Sequence, residues 1–338
     1  MESITQPARR SRWYLKGSVV LLLAFVFVIL SLMWWWDTEP AYFDPVKATQ
    51  ARATARQQPV VIGSATTTAL IETTETMLDK RGGYLSNDKL PPGLLMDNIP
   101  NWEFGVVTAS RDLTRALRNE FSRSQTQSTE DVDLQEAEPL FSSPNDRWLL
   151  PSSESQYRKG VEHIENYARR LADNDQDDAQ FYARADNLVD YLSVVSTRLG
   201  SLSQRLSASV GQMRIDTDLA NDPNAQQSKP AASSRVVKTP WTRIDDNFYE
   251  ARGYTWALRE QLDAIRVDFG AVLRDKNAMV SLDQVIRELE EAQKPLGSPI
   301  VLNGTPFGFF ANHSLVLANY ISRANAALIE LRELLKRG

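Results

Sequence analysis

Three aspartates, Asp173, Asp175 and Asp177, stand at alternate positions, the spacing with which a calcium-binding loop begins. The pattern then breaks. The glycine that makes such a loop turn is replaced by Asp178, and the glutamate that closes the ligand shell is replaced by Arg184. A solvated turn whose carboxylates favour the N-terminus of the following helix accounts better for these residues. The two histidines, His163 and His313, stand in a chain with no cysteine, so a zinc shell of nitrogen and sulfur ligands has too few donors. Disulfides and thiolate chemistry are excluded by the same count. His163 lies between Glu162 and Glu165, an arrangement that invites acid/base chemistry. A two-carboxylate mechanism needs both acids facing one cleft, and a helix crowded with exposed acids produces such neighbours by chance. Ser201 and Ser203 follow Gly200 without a Gly-x-Ser-x-Gly elbow, and no glycine-rich phosphate loop occurs. The sequence therefore nominates no catalytic residue, no metal ligand and no cofactor.

Two apolar stretches are better candidates for function. Residues 81–104 carry Tyr84, Leu85, Leu90, Leu94, Leu95, Met96, Ile99, Trp102 and Phe104 among Gly82-Gly83, Pro91-Pro92-Gly93 and Pro100. Residues 295–310 carry Ile300, Val301, Leu302, Phe307, Phe309 and Phe310 among Gly297, Pro299, Gly304, Pro306 and Gly308. They read as loops, and two readings stay open. Either they fold over the ends of a helical core, or Tyr84, Trp102, Phe307 and Phe309 form a docking surface. Asn303-Gly-Thr and Asn312-His-Ser also fit the glycosylation sequon, which matters only in a cell that glycosylates exported proteins.

The elements that would position these residues are helices. Phe181, Ala185, Leu188, Leu192, Val195, Leu199, Leu202 and Leu206 alternate spacings of four and three, a heptad seam about 39 Å long if helical throughout. Tyr157, Val161, Ile164, Ala168 and Leu171 repeat it, as do Leu258, Leu262, Ile265, Phe269 and Val272, and finally Leu317, Ile321, Ala324, Leu328, Leu331 and Leu335. Weaker helical patterns cover roughly 48–57, 62–80 and 108–123. No comparable period-two alternation is found. The expectation is an all-α fold, an elongated antiparallel helical bundle whose coiled-coil-like seams bury one another. Polar stretches near 124–146 and 216–238 read as flexible connectors within a helical domain spanning 61–338.

Residues Gly17 to Trp36 contain no charge and, as a helix, would be about 30 Å long, which matches the hydrocarbon thickness of a bilayer. Residues 1–16 form a basic leader with Arg9, Arg10, Arg12 and Lys16 against Glu2; the far side opens with Asp37, Glu39 and Asp44 in a juxtamembrane segment, 37–60. The positive-inside rule keeps the N-terminus in the cytoplasm. Trp13 and Tyr14 at one edge and Trp34, Trp35 and Trp36 at the other are placed as interfacial anchors. A cleaved signal would have a shorter apolar stretch followed by small residues, where this chain has tryptophans. The leader holds three net positive charges, so of the chain's formal −5 the remainder carries −8. That balance argues against nucleic acid as a partner.

The segment Trp34-Trp35-Trp36-Asp37-Thr38-Glu39-Pro40, the loop Gly82-Gly83-Tyr84-Leu85-Ser86-Asn87-Asp88, the stretch Asp97-Asn98-Ile99-Pro100-Asn101-Trp102-Glu103-Phe104-Gly105 and the helix with Tyr182-Ala183-Arg184-Ala185-Asp186-Asn187-Leu188 resemble the DUF2333 family of Gram-negative bacterial proteins. The resemblance covers almost the whole chain. It implies an inner-membrane protein with a periplasmic domain, transfers no activity, and sets the sequons aside. The expectation is a non-enzymatic scaffold or interaction partner in an envelope complex, touching the lipid bilayer and an unidentified envelope protein, with homo-oligomerisation open. The alternative is an enzyme acting on an envelope polymer or lipid through scattered carboxylates. A sensor would need a separate signalling partner, because a tail of about sixteen residues is too short for an output domain.

Overall fold

The computed structural model describes residues 8–124, 129–173, 178–215, 234–298 and 300–337. Helix α1 (Ala8–Trp36) stands apart from the rest, and its Tyr14–Trp36 portion is long and apolar enough to cross a membrane with none of it buried. An extended strap, residues 37–44, then enters the body. Asp44 ends it by accepting from the amides of Val46 and Lys47, which caps α2 (Pro45–Arg56) with proline at its first position.

The body is built from α3 (Ser64–Asp79), α4 (Asn98–Ala116), α5 (Val132–Phe141), α6 (Ser153–Leu171), α7 (Ala185–Ser207), α8 (Ile244–Asp268), a short α9 (Gly270–Asp275), α10 (Met279–Glu291) and α11 (His313–Lys336). The all-α expectation holds: the one sheet among the described residues is the antiparallel pair β1 (Gln212–Ile215) and β2 (Ser234–Val237). Both apolar seams of α7 and α11 are buried against each other, from Leu188 to Leu206 and from Leu317 to Leu335. Ser196 to Asn325 and Ser203 to Ser322 fix that pair as antiparallel. The seam of α6 packs instead on α5 and α3, and that of α8 on α4.

The α4–α8 contact sets the centre of the fold. A Cβ added to Gly253 would lie 1.9 Å from the Trp102 carbonyl oxygen, and one added to Gly105 would lie 2.2 Å from that of Glu250. The helices therefore touch backbone to backbone, and only glycine fits. These two run parallel, since Asn101 reaches Asp246 near their starts while Phe121 meets Phe269 at their ends. The other neighbours alternate in direction. Thr66 at the start of α3 donates its amide and hydroxyl to Asp268 at the end of α8, both at 2.7 Å. Arg158 of α6 meets Asp79 of α3, Phe141 of α5 stacks on Tyr157 of α6, and Arg323 of α11 meets Glu288 of α10. In consequence the connections 80–97 and 142–152, the described parts 208–215 and 234–243, and the described parts 292–298 and 300–312 lie at the end of the bundle where α1 joins it.

Several sequence expectations change. Helix α4 begins ten residues before the periodic stretch at 108–123 and takes in Trp102 and Phe104, because Pro100 sits in its first turn, where a missing amide costs no hydrogen bond. The stretch 124–146, read as a flexible connector, holds α5, with Asp131 as its N-cap and Leu134, Ala137 and Phe141 buried; three apolar residues among acids gave too weak a period. The other connector, 216–238, lies largely outside the described residues, but its described end forms β2. Helix α10, with Leu282, Val285, Ile286 and Leu289 inside, was not anticipated.

Gly253→Ala is expected to force α4 and α8 apart and cost at least as much as ordinary overpacking, about 1 to 3 kcal/mol. Leu199→Ala in the α7 seam should cost about 2 to 5 kcal/mol. Denaturant titrations of the full chain check both; an unchanged midpoint in either variant contradicts the corresponding contact.

Candidate functional site where the apolar helix meets the bundle

The strap 37–44 is held by the body at each step. Asn98 donates to Asp37 at 3.4 Å, Arg252 forms a bidentate pair with Glu39, Arg259 lies 4.6 Å over the Tyr42 ring, and the Phe43 amide donates to Glu260 Oε1 at 3.3 Å. Phe43 packs edge-on to Trp256, which in turn packs on Trp102. At the foot of α1, Trp36 lies on Gly82, whose positive φ of 84° and contact with the indole both favour glycine. Arg81 sits 6.0 Å from the Trp35 ring.

Arg252 is the centre of this junction. It is buried, holds Glu39 through Nε and Nη2, and donates to the carbonyls of Ala292, Gln293 and Lys294 at 3.1 to 3.2 Å. Those carbonyls belong to the C-cap of α10 and the turn just past it, so a single guanidinium satisfies that turn and fixes the strap. Burial of Glu260 pushes its carboxyl up to about 8 despite Arg259 at 3.3 Å. A second buried pair closes the same end: Lys80 meets Glu103, which also accepts from the amides of Leu85 and Ser86 at 2.9 and 2.8 Å. Desolvation raises the Glu103 carboxyl, with Lys80 as the largest opposing influence.

Two clefts flank the strap, one of about 520 Å³ lined by Asp37, Tyr42, Tyr249, Arg252 and Leu296, the other of about 530 Å³ lined by Glu75, Asp79 and Arg81. In the first, Glu39 is committed to Arg252, leaving Asp37 as the carboxylate without an ionic partner. Burial raises that carboxyl. The arrangement suits holding a helix in place better than moving protons between two acids.

The sequence candidates disperse. His163 Nδ1 lies 3.2 Å from Asp133, Glu165 pairs with Arg52 and Arg56, and Glu162 is exposed, so the three converge on no cleft. His313 Nδ1 accepts from the Leu302 amide at 3.1 Å, and burial lowers its basicity. Ser203 bonds to α11 and Ser201 faces out. Asp175 and Asp177 lie outside the described residues. Asn312 caps α11 and donates to Asn303, so both sequon side chains are engaged. Among the docking candidates, Tyr84 and Trp102 are core residues, Tyr84 donating to the Asn145 carbonyl at 2.8 Å. That corrects their assignment to an exposed surface. Phe307 and Phe309 are fully exposed. Of the interfacial aromatics, Tyr14, Trp34 and Trp35 are exposed, Trp36 is half-buried on Gly82, and the Trp13 side chain falls outside what is described. Sequence reasoning missed Arg252, Glu260 and the exposed run Trp148, Leu149 and Leu150; an apolar triplet between Pro144 and Pro151 was the available signal for the last.

Arg252→Ala is expected to leave Glu39 and three carbonyls buried without partners and to cost about 3 to 5 kcal/mol. Arg252→Lys should recover only part, since one ammonium cannot replace the planar fork; full recovery in thermal melts contradicts the bidentate role. For Glu260, the protonated form suits the fold. Its contribution is complete below the ordinary range of glutamate and is lost as pH rises through about 8. The wild-type chain should lose stability progressively from about pH 4.5 to about pH 8. Glu260→Gln should flatten that decline in melts across the range; an unaltered slope excludes the residue as its source.

No curated protein and no solved structure matches the chain. A family model does, over residues 8–338, from the first residue of α1 onward. By that match the chain belongs to the DUF2333 family, described as an uncharacterized protein conserved in bacteria.

Proposed function

We propose that this chain is a single-pass protein of the bacterial inner membrane, N-terminus in the cytoplasm, whose periplasmic helical body serves as a non-enzymatic scaffold or interaction partner in an envelope complex. The observation that carries the reading is the buried Glu39–Arg252 pair, which ties an apolar helix of membrane-spanning length to the body within three residues of its end. A cleaved leader gains nothing from such a tie. A permanent anchor does, because the body then has one fixed attitude toward the bilayer. Orientation is supported by the basic leader and the acidic strap. The scaffold role is supported by helix flanks rich in charged side chains and by clefts that present one uncommitted carboxylate where an acid/base enzyme would want two.

A reporter enzyme that works only outside the cytoplasm, fused after Gly338, is expected to be active, and the full chain should stay in the membrane fraction at its full mass. Cytoplasmic activity or a shortened, released chain contradicts the anchor. Mild crosslinking in intact cells should then recover one envelope protein reproducibly, and should fail to recover it from cells carrying Arg252→Ala.

A further inference from the structure

We propose that the loop end of the body is itself a membrane-binding surface, lying on the outer leaflet of the bilayer that α1 crosses; this rests on the anchor reading above. The described parts of four connections, 80–97, 142–152, 208–243 and 292–312, gather at the end where α1 joins, and they carry the most exposed leucine and aromatic side chains outside α1. Leu90 is 74 %, Leu150 97 % and Phe309 98 % exposed, with Trp148, Trp241 and Phe307 also in the open. Outside α1, every exposed tryptophan and phenylalanine among the described residues lies in one of these connections. The far end and the flanks expose mainly valine and isoleucine, at Val60, Ile62, Val132 and Val280. Aromatic and leucine side chains confined to one end of a charged body are what an interfacial contact requires.

The connections are also continuous with the membrane helix. Leu95 and Met96 line a crevice with Met33 and Trp34, the last apolar turn of α1, so the 3₁₀ turn Gly93–Leu95 begins where the hydrocarbon ends. Loop 142–152 is tied to the same region through Tyr84 to the Asn145 carbonyl and Asn87 to the Arg147 carbonyl. Loop 292–312 is tied through Arg252 to the strap and through Asn303 to the Ser209 carbonyl beside the β-hairpin. Because the strap is held throughout its length, these loops stay at the height of Trp34 and Trp35, which anchor at the headgroup layer. Charge at this end is mixed: Arg81, Lys89 and Arg147 stand near Asp88, Asp97 and Asp146. The contact is accordingly driven by apolar burial, not by attraction to anionic lipid.

The absence of cysteine makes the test direct. Single variants Leu94→Cys, Leu149→Cys and Phe309→Cys, with Leu22→Cys inside α1 and Val280→Cys at the far end, would be labelled with an environment-sensitive fluorophore on the full chain in zwitterionic vesicles at high lipid to protein ratio. Labels at 94, 149 and 309 are expected to be quenched several-fold more by a nitroxide placed at the headgroup depth than the label at 280, and to be protected from aqueous iodide. If these three behave like position 280 while position 22 is quenched by a deep nitroxide, the surface contact is overturned and the anchor stands. If position 22 is also untouched by lipid quenchers, the anchor reading falls and this proposal with it. Protection from iodide without lipid quenching means that a second copy or another part of the chain covers the loops, which equally overturns it.

Discussion

The guanidinium of Arg252 is the constraint around which this molecule is organised. It lies out of water, and its charge is balanced by Glu39 from the strap and by the carbonyls of Ala292, Gln293 and Lys294 in the turn past α10. Removing a charge from water costs several kcal/mol, and only a partner set this complete offsets it. Three separate parts of the chain must therefore be in place together: α8, which carries Arg252, the end of α10, and the strap leading from α1. A terminal helix joined to a body through a free linker would allow the body to tumble against it. Here the linker is a structural part of the core, with Phe43 against Trp256 and its amide on Glu260.

That junction works only because the body is built from helices that alternate direction around the close α4–α8 crossing. Gly105 and Gly253 let the two backbones meet, and Trp102 and Trp256 then pack at a tilt beside the crossing. Their parallel course leaves the remaining helices to run the opposite way or to pair among themselves. Odd and even connections thus sort to opposite ends. The end shared with α1 receives the connection from α3 to α4, which Lys80 with Glu103 staples to α4. The opposite end holds the connection from α6 to α7 and the turn around Asn277, whose φ of 50° lets α9 pass directly into α10.

Helix type and the apolar span were legible in the sequence because each is a local pattern: a seam repeats every three or four residues and an uncharged run is visible by inspection. The pairing of helices was not legible. Four similar seams suggested that they bury one another, whereas α6 chose α5 and α8 chose α4, partners whose own apolar faces were interrupted by Pro139 or by Gly105. The junction was hidden for a further reason. Glu39 and Arg252 are 213 residues apart, and nothing in their neighbourhoods separates them from the many solvated acids and arginines of the chain. Tyr84 and Trp102 misled in the other direction, since aromatics in a segment rich in glycine and proline look the same whether they cap a core or face water.

A body held in this attitude restricts what a partner can reach. The loop end adjoins α1, so on the proposed anchor reading a partner meets the flanks of the bundle or its far end. The longest body helix, α8, has 25 residues, which places that far end about 38 Å from the loops. The flanks are laced with ion pairs such as Arg118 with Glu130 and Glu138, and Arg170 with Asp131 and Asp133, which hold side chains in fixed positions instead of leaving them free to adapt. Recognition on such a surface depends on the placement of charge more than on apolar area, and it gives specificity in preference to affinity. Under the proposed anchor, modest affinity suffices, because confinement to one bilayer raises the effective concentration of any partner anchored in it.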